Sequence, residues 1–314
     1  MNSRPGPAKN LKNRWFKEWF TPHESHSHRL KRILVKKKTK FQNALIADTY
    51  SFGRCLVLDG EMQSAQMDEF VYHESLIHPA LVTHPDPRRV VILGGGEGAT
   101  LREILKHKTV RKASMVDIDG EVVAWCKQHL HLWHQGSFGE KRSDIVIGDA
   151  KKYIEETEEK FDVIVSDLPS PIEAGPAYQL YTIEFYRVLK SRLKPNGIFV
   201  LQAGSGNLLQ IELHLKLYST LKRVFRVVCS YSAHVPSFDV PWAFLLCSQD
   251  EKMDPLKLSS REVERRIRRR VARPLEFYDG VTHEGLFRIP KHFRKRLAEE
   301  KGIITLKRPQ YFFK

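Results

Sequence analysis

Val90–Val110 reads VVILGGGEGATLREILKHKTV: four apolar residues, three glycines, an acid, a further glycine and then a helical run. A glycine-rich turn between strand and helix lets the backbone approach a phosphate or a nucleoside closely. Glu97 in the middle of that turn would repel a phosphate, so the ligand must be one that welcomes a carboxylate. From Arg89 onward strands and helices alternate. Strands are expected at 90–93, 112–116, 145–147, 163–165, 198–201 and 243–247, with helices at 99–106, 120–131, 150–156, 180–193 and 209–224. This alternation predicts a doubly wound, mostly parallel sheet that binds its ligand at the carboxyl ends of the strands.

On the amino-terminal side, residues 33–66 are rich in β-type residues, with turn signals at Ser51-Phe52-Gly53 and Asp59-Gly60. Residues 68–84 follow with helical spacing, broken by HPDPRR. Trp15 and Trp19, four apart, suggest a helical face used for packing or oligomer contacts. Past Asp250, SSREVERRIRRRV reads as a basic helix opened by a serine cap. Four parts are therefore expected: a basic extension (1–30), a small β-strand domain (31–86), a Rossmann-like catalytic domain (87–250) and a basic helical tail (251–314).

The net charge of +15 invites a nucleic-acid reading, but its distribution opposes one. Residues 1–40 carry 12 Lys/Arg against 2 Asp/Glu, and residues 251–314 carry 18 against 9. The middle, 41–250, carries 22 against 26 and is net acidic, which suits a cationic substrate and leaves nucleic acid an incidental partner. No apolar run approaches the ~18 residues of a membrane span. The four cysteines are scattered without metal-type spacing, as expected of reduced thiols in a cytoplasmic protein. HESHSH (His23, His26, His28) and HLHLWH (His129, His131, His134) lack companion cysteines and read as surface rather than metal sites.

Each of four successive strands ends in an acid: Glu97, Asp117, Asp149 and Asp167. Four acids on one sheet edge define a pocket. Asp117, some twenty residues past the glycine turn, sits where such folds hold both ribose hydroxyls of a nucleoside. Asp149 is well placed for an adenine amino group. Methyltransferases of this fold bind S-adenosylmethionine, whose carboxylate Glu97 would repel. Removing that carboxylate leaves only an ammonium, which Glu97 would attract, so the donor implied is decarboxylated S-adenosylmethionine.

TKFQ, LVLDGEMQ, DEFVYHESLIHPAL, GGGEGATLREILKH, VDIDGEVV, DLPSP and YQLYTIEFY together resemble the polyamine aminopropyltransferases, the spermidine synthase group. GGGEG, GPAYQLYT and AHVPSF are similar to thermospermine synthases, while WHQGSF and the YDG tail resemble thermophilic bacterial relatives that act on agmatine or longer amines. The resemblance implies a class I methyltransferase-like fold. It also implies a donor site of Gln42, Leu58, Gln63, His73, the Gly94–Gly96 turn, Glu97, Asp117, Asp149 and Ala150. Tyr72, with His73, would line the junction of aminopropyl group and acceptor amine, and Asp167 would be the general base.

For the acceptor, the resemblance points to Tyr72 and to a departure from the family pattern D-x-x-D-P. Ser170 stands where a second acid would grip an acceptor ammonium. Glu173, Phe238, Asp239 and Trp242 are the remaining candidates for holding a longer amine. The amine attacks the carbon beside a sulfonium and 5′-methylthioadenosine leaves unprotonated, so neither a metal nor a tightly bound cofactor is required. Putrescine, agmatine, spermidine and norspermidine are the candidate acceptors, and a homodimer or homotetramer is expected. An S-adenosylmethionine-dependent methyltransferase, or a low-turnover relative binding polyamine or RNA, would be the alternatives.

Overall fold

The structure, a computed structural model, describes residues 14–171 and 176–312. Five strands, β1 (Trp15–Thr21), β2 (Glu24–Lys38), β3 (Asn43–Thr49), β4 (Arg54–Leu58) and β5 (Glu61–Ala65), form an antiparallel meander in chain order. β4 and β5 meet at Asp59-Gly60, both with positive φ (48° and 87°), the backbone that a tight hairpin demands. Residues 15–30 are thus not an unpaired arm. Phe16 and Glu18 are buried while Trp15, Lys17 and Trp19 face out, a period of two. Residues four apart share a face in a strand as well as in a helix, which is why the tryptophan spacing misleads.

Helix α1 (Glu69–Thr83) leads to the second sheet. Its elements are β6 (Arg89–Gly94), α2 (Ala99–Leu105), β7 (Lys112–Asp117), α3 (Gly120–His129), α4 (His131–His134), β8 (Ser143–Ile147), α5 (Ala150–Glu156), β9 (Phe161–Asp167), α6 (Ile183–Ser191), β10 (Leu193–Ser205), α7 (Glu212–Leu221), β11 (Val227–Val235) and β12 (Val240–Ser248). The strand order is β11-β12-β10-β9-β6-β7-β8. β10, β9, β6, β7 and β8 run parallel, and β12 and β11 add an antiparallel edge. β11 (VVCSYSAHV) was not among the expected strands; its inward residues Val227, Cys229, Tyr231, Ala233 and Val235 follow the strand period among small polar residues.

The central strands bury both faces, so they read as unbroken apolar runs. Val90, Ile92, Met115, Val163 and Val165 face one core and Val91, Leu93, Val116, Ile164 and Phe199 the other. The order of the parallel strands reverses between β6 and β9, where Gly94 pairs with Asp167. That switch point opens the crevice in which such sheets bind ligands.

α1 packs on α2, β10 and β11 rather than on the amino-terminal sheet. Its middle is buried all round: Tyr72, His73 and Glu74 are each at most 8% exposed. The tail contributes α8 (Ser260–Arg270), α9 (Gly280–Leu286) and α10 (Lys291–Glu299). Arg266 donates to the carbonyls of Val82 and Thr83, and Arg270 to that of His84, so part of the basic charge closes the carboxyl end of α1. Glu74 in turn accepts the backbone N–H groups of Glu276, Phe277 and Tyr278 at 2.8–2.9 Å.

Candidate active site

A cavity of about 630 Å³ lies where the carboxyl edge of the second sheet meets β1, β4 and β5. Its floor is the glycine turn. Gly94 has φ +85°, and a Cβ there would collide with the Asp167 carbonyl. A Cβ on Gly96 would stand 2.6 Å from Asp117 Oδ2. The glycines therefore bring the backbone against two of the four acids, and Glu97, Asp117, Asp149 and Asp167 all line the cavity.

At the carboxyl end of β7, Asp117 accepts the N–H of Asp119 at 2.9 Å, and burial pushes its carboxyl up to about 6. Asp149 caps α5, its Oδ1 accepting the N–H groups of Lys151 and Lys152. Ala150, Leu58, Gln63 and Gln42 line the same cavity. The Gln42 amide donates to Asp119 Oδ2 at 3.0 Å, and the Thr39 hydroxyl donates to the same oxygen at 2.6 Å. Asp119 also caps α3, so one carboxylate ties the two sheets together behind Asp117. Its signal was the cap position two residues past Asp117.

At the junction, the Tyr72 hydroxyl donates to Asp167 Oδ1 at 2.7 Å and the Thr100 hydroxyl to Oδ2 at 2.5 Å. Burial and the neighbouring Asp167 hold the Tyr72 phenol well above its usual range, so it stays a donor. Thr100 was not foreseen, although it opens α2 three residues past Glu97.

His73 does not line the cavity. It lies behind Glu97, 1% exposed, with Nε2 2.6 Å from Glu97 Oε1 and Nδ1 2.8 Å from Glu69 Oε2. Burial alone would lower its basicity, but Glu97 and Glu69 outweigh that and raise it to about 10. Glu69 in turn holds Arg102 through both oxygens, at 2.8 and 2.9 Å. Charges alternate along Arg102, Glu69, His73 and Glu97. Burial raises the Glu97 carboxyl above its ordinary range, and the imidazolium of His73 offsets only part of that. Glu97 Oε2 is buried without a hydrogen-bond partner, an acceptor left open to a cation in the cavity, whose arrival would favour the charged carboxylate.

The cavity lining also holds two glutamates that carry no local sequence signal. Glu18 and Glu61 line the cavity beside Phe20 and Met62. Glu18 Oε1 accepts the Met62 N–H at 3.0 Å, and Oε2 has no partner. Burial raises Glu18 to about 7; burial, then Glu18 and Asp59, raise Glu61 to about 8. The folded chain therefore holds protons here that an unfolded glutamate, at its ordinary 4.5, has released. Stability must fall as pH rises from the unfolded value through the folded ones. Glu61→Gln is expected to raise the melting temperature at pH 8.5 by about 2 °C or more, with no gain at pH 4.5. Thermal scans across pH check this; a gain equal at both pH values would contradict it.

Ser170, Phe238 and Trp242 line the cavity too, with the two rings edge-to-face at 5.0 Å. Asp239 does not. In a left-handed turn (φ 55°), its side chain is 64% exposed and meets His26 Nε2 at 3.0 Å. Glu173 lies outside the described residues. Among the described residues, one group has metal-type closeness, Glu74, His78 and Glu103, but the Lys106 ammonium stands 2.8 Å from Glu103 and 3.7 Å from Glu74.

The chain matches two family models, a spermidine synthase tetramerisation domain over residues 14–66 and a spermine/spermidine synthase domain over residues 69–257. It is 47% identical to the polyamine aminopropyltransferase of Sulfolobus acidocaldarius, over 94% of this chain and 97% of that one. A Synechococcus polyamine aminopropyltransferase is 44% identical over 94% and 96%. Among solved structures, the spermidine synthase of Thermotoga maritima superposes with a TM-score of 0.83 at 28% identity, covering 96% and 98% of the two chains. A spermidine synthase in complex with the transition state analogue AdoDATO gives 0.85 at 28% identity, covering 96% and 99%.

Proposed function

This chain belongs to the spermine/spermidine synthase family and is a polyamine aminopropyltransferase using decarboxylated S-adenosylmethionine, and we propose that its acceptor is a triamine or agmatine rather than putrescine. One observation carries the proposal: the paired Glu18 and Glu61 in the lining of the cavity, where Glu18 adds to burial in raising the Glu61 carboxyl. Two ionisable acids there suit the distal cation of a long acceptor, whose arrival favours their charged form. Ser170, buried at the acceptor side of Asp167, has no charge with which to hold the nearer ammonium of a short diamine.

In this reading the adenosine lies against Asp117, Asp149 and Ala150, and the donor's ammonium meets Glu97. Tyr72 orients the acceptor nitrogen. Its lone pair forms a C–N bond to the methylene beside the sulfonium. The C–S pair returns to sulfur, giving neutral 5′-methylthioadenosine, and Asp167 takes the proton from the attacking nitrogen. The assembly is an oligomer. We assign it as a tetramer whose contacts include the outward Trp15 and Trp19 of β1, 55% and 52% exposed. No helix among the described residues is long and apolar enough to cross a membrane, and a cytoplasmic location is part of the proposal.

Initial rates with putrescine, agmatine, spermidine and norspermidine test the acceptor. Spermidine-like triamines or agmatine should lead putrescine by about tenfold or more in kcat/KM, the scale of one charge-assisted contact. Glu61→Gln should erase most of that lead, and Ser170→Asp should shift the ranking toward putrescine. Putrescine winning by a wide margin would reverse the assignment.

A further inference from the structure

We propose that the carboxyl-terminal tail supplies a specificity-determining residue: the ring of Phe312 forms one wall of the acceptor end and selects for the length of the amine. The inference rests on the assignment of that end of the cavity to the acceptor.

Phe312 lines the cavity, although 70 residues separate it in sequence from Trp242, its edge-to-face neighbour at 5.8 Å. Its N–H donates to the Pro171 carbonyl at 2.8 Å, so it is tied to the segment that carries Asp167 and Ser170. Against β10 the ring lies over Gly204, where a Cβ would come within 3.1 Å of it; glycine leaves the room it occupies. The tail before it is fastened along its length. Ile304, 1% exposed, accepts the Ile183 N–H at 2.9 Å and donates to the Thr220 hydroxyl at 2.9 Å. Gln310 accepts from the Lys216 ammonium at 2.7 Å.

Phe312, Trp242 and Phe238 thus form an aromatic row from the tail to Tyr72, whose ring lies 6.0 Å from that of Phe238. Such a row suits a chain of methylenes between charged nitrogens. It offers apolar faces to the methylenes and negative ring faces to the cations. A diamine held near Asp167 ends before the row does, whereas a longer acceptor uses all of it.

Steady-state kinetics on Phe312→Ala and Phe312→Leu with the same amines test this, together with calorimetry for the donor. In Phe312→Ala, KM for the best long acceptor should rise about tenfold and that for putrescine by about twofold or less, as expected for removing a pocket wall. Leu should recover part of the loss, and the donor Kd should stay within about twofold. Unchanged acceptor KM, an equal rise for every amine, or a parallel loss of donor binding would each overturn the role. The acceptor assignment itself stands or falls on the ranking of the unaltered enzyme, so the two failures are distinguishable.

Discussion

The Asp167→Asn variant is expected to keep its donor affinity and to lose turnover by about 10²- to 10⁴-fold, the usual contribution of a positioned general base. An alkyl amine with a pKa near ~10.4 arrives as an ammonium and must shed a proton to carry its new carbon. Asp167 stands beside the glycine turn with Oδ1 accepting from Tyr72 and Oδ2 from Thr100. Both hydroxyls aim the carboxylate at the cavity. An amide of the same shape keeps the packing but cannot take the proton. Single-turnover rates at neutral pH and donor calorimetry check this; a variant retaining more than about a tenth of the rate would move the base elsewhere. Tyr72→Phe should cost less, since the phenol orients rather than accepts.

The second large effect concerns the choice of donor. Decarboxylated S-adenosylmethionine should bind at least about tenfold, or roughly 1.4 kcal/mol, more tightly than the form that keeps its carboxylate. The cause is the buried, unpartnered Oε2 of Glu97, whose carboxyl burial pushes above its usual range while the imidazolium of His73 favours its charged form. A second carboxylate would be repelled in a place where water cannot screen it. Glu97→Gln should narrow the gap, mostly by weakening the decarboxylated donor. Equal calorimetric affinities of the wild type for both donors would refute the role.

The parallel sheet was legible because strands buried on both faces are long apolar runs, and the acids Glu97, Asp117, Asp149 and Asp167 were legible because each follows such a run. β1 was obscured, since residues four apart coincide in strand and helix. Glu18 and Glu61 were passed over for a related reason. A glutamate within a strand reads as a solvated face, and only the fold brings Glu18 against Met62 from 44 residues away. His73 and Asp239 lie next to the cavity without lining it. His73 turns behind Glu97, and the left-handed turn at Asp239 swings its carboxylate out to His26. Phe312 had no local signal at all, because its place depends on the path of the whole tail.

The grip of Glu74 on the backbone of residues 276–278 carries a consequence for the chain while it is being made. Glu74 follows Tyr72 and His73 directly, yet its hydrogen-bond partners are synthesised about 200 residues later. Until they leave the ribosome, the Glu74 carboxylate lacks three of the hydrogen bonds it makes in the finished fold. The helix that carries Tyr72 and His73 therefore gains its last fastening only after the first 275 residues have been made.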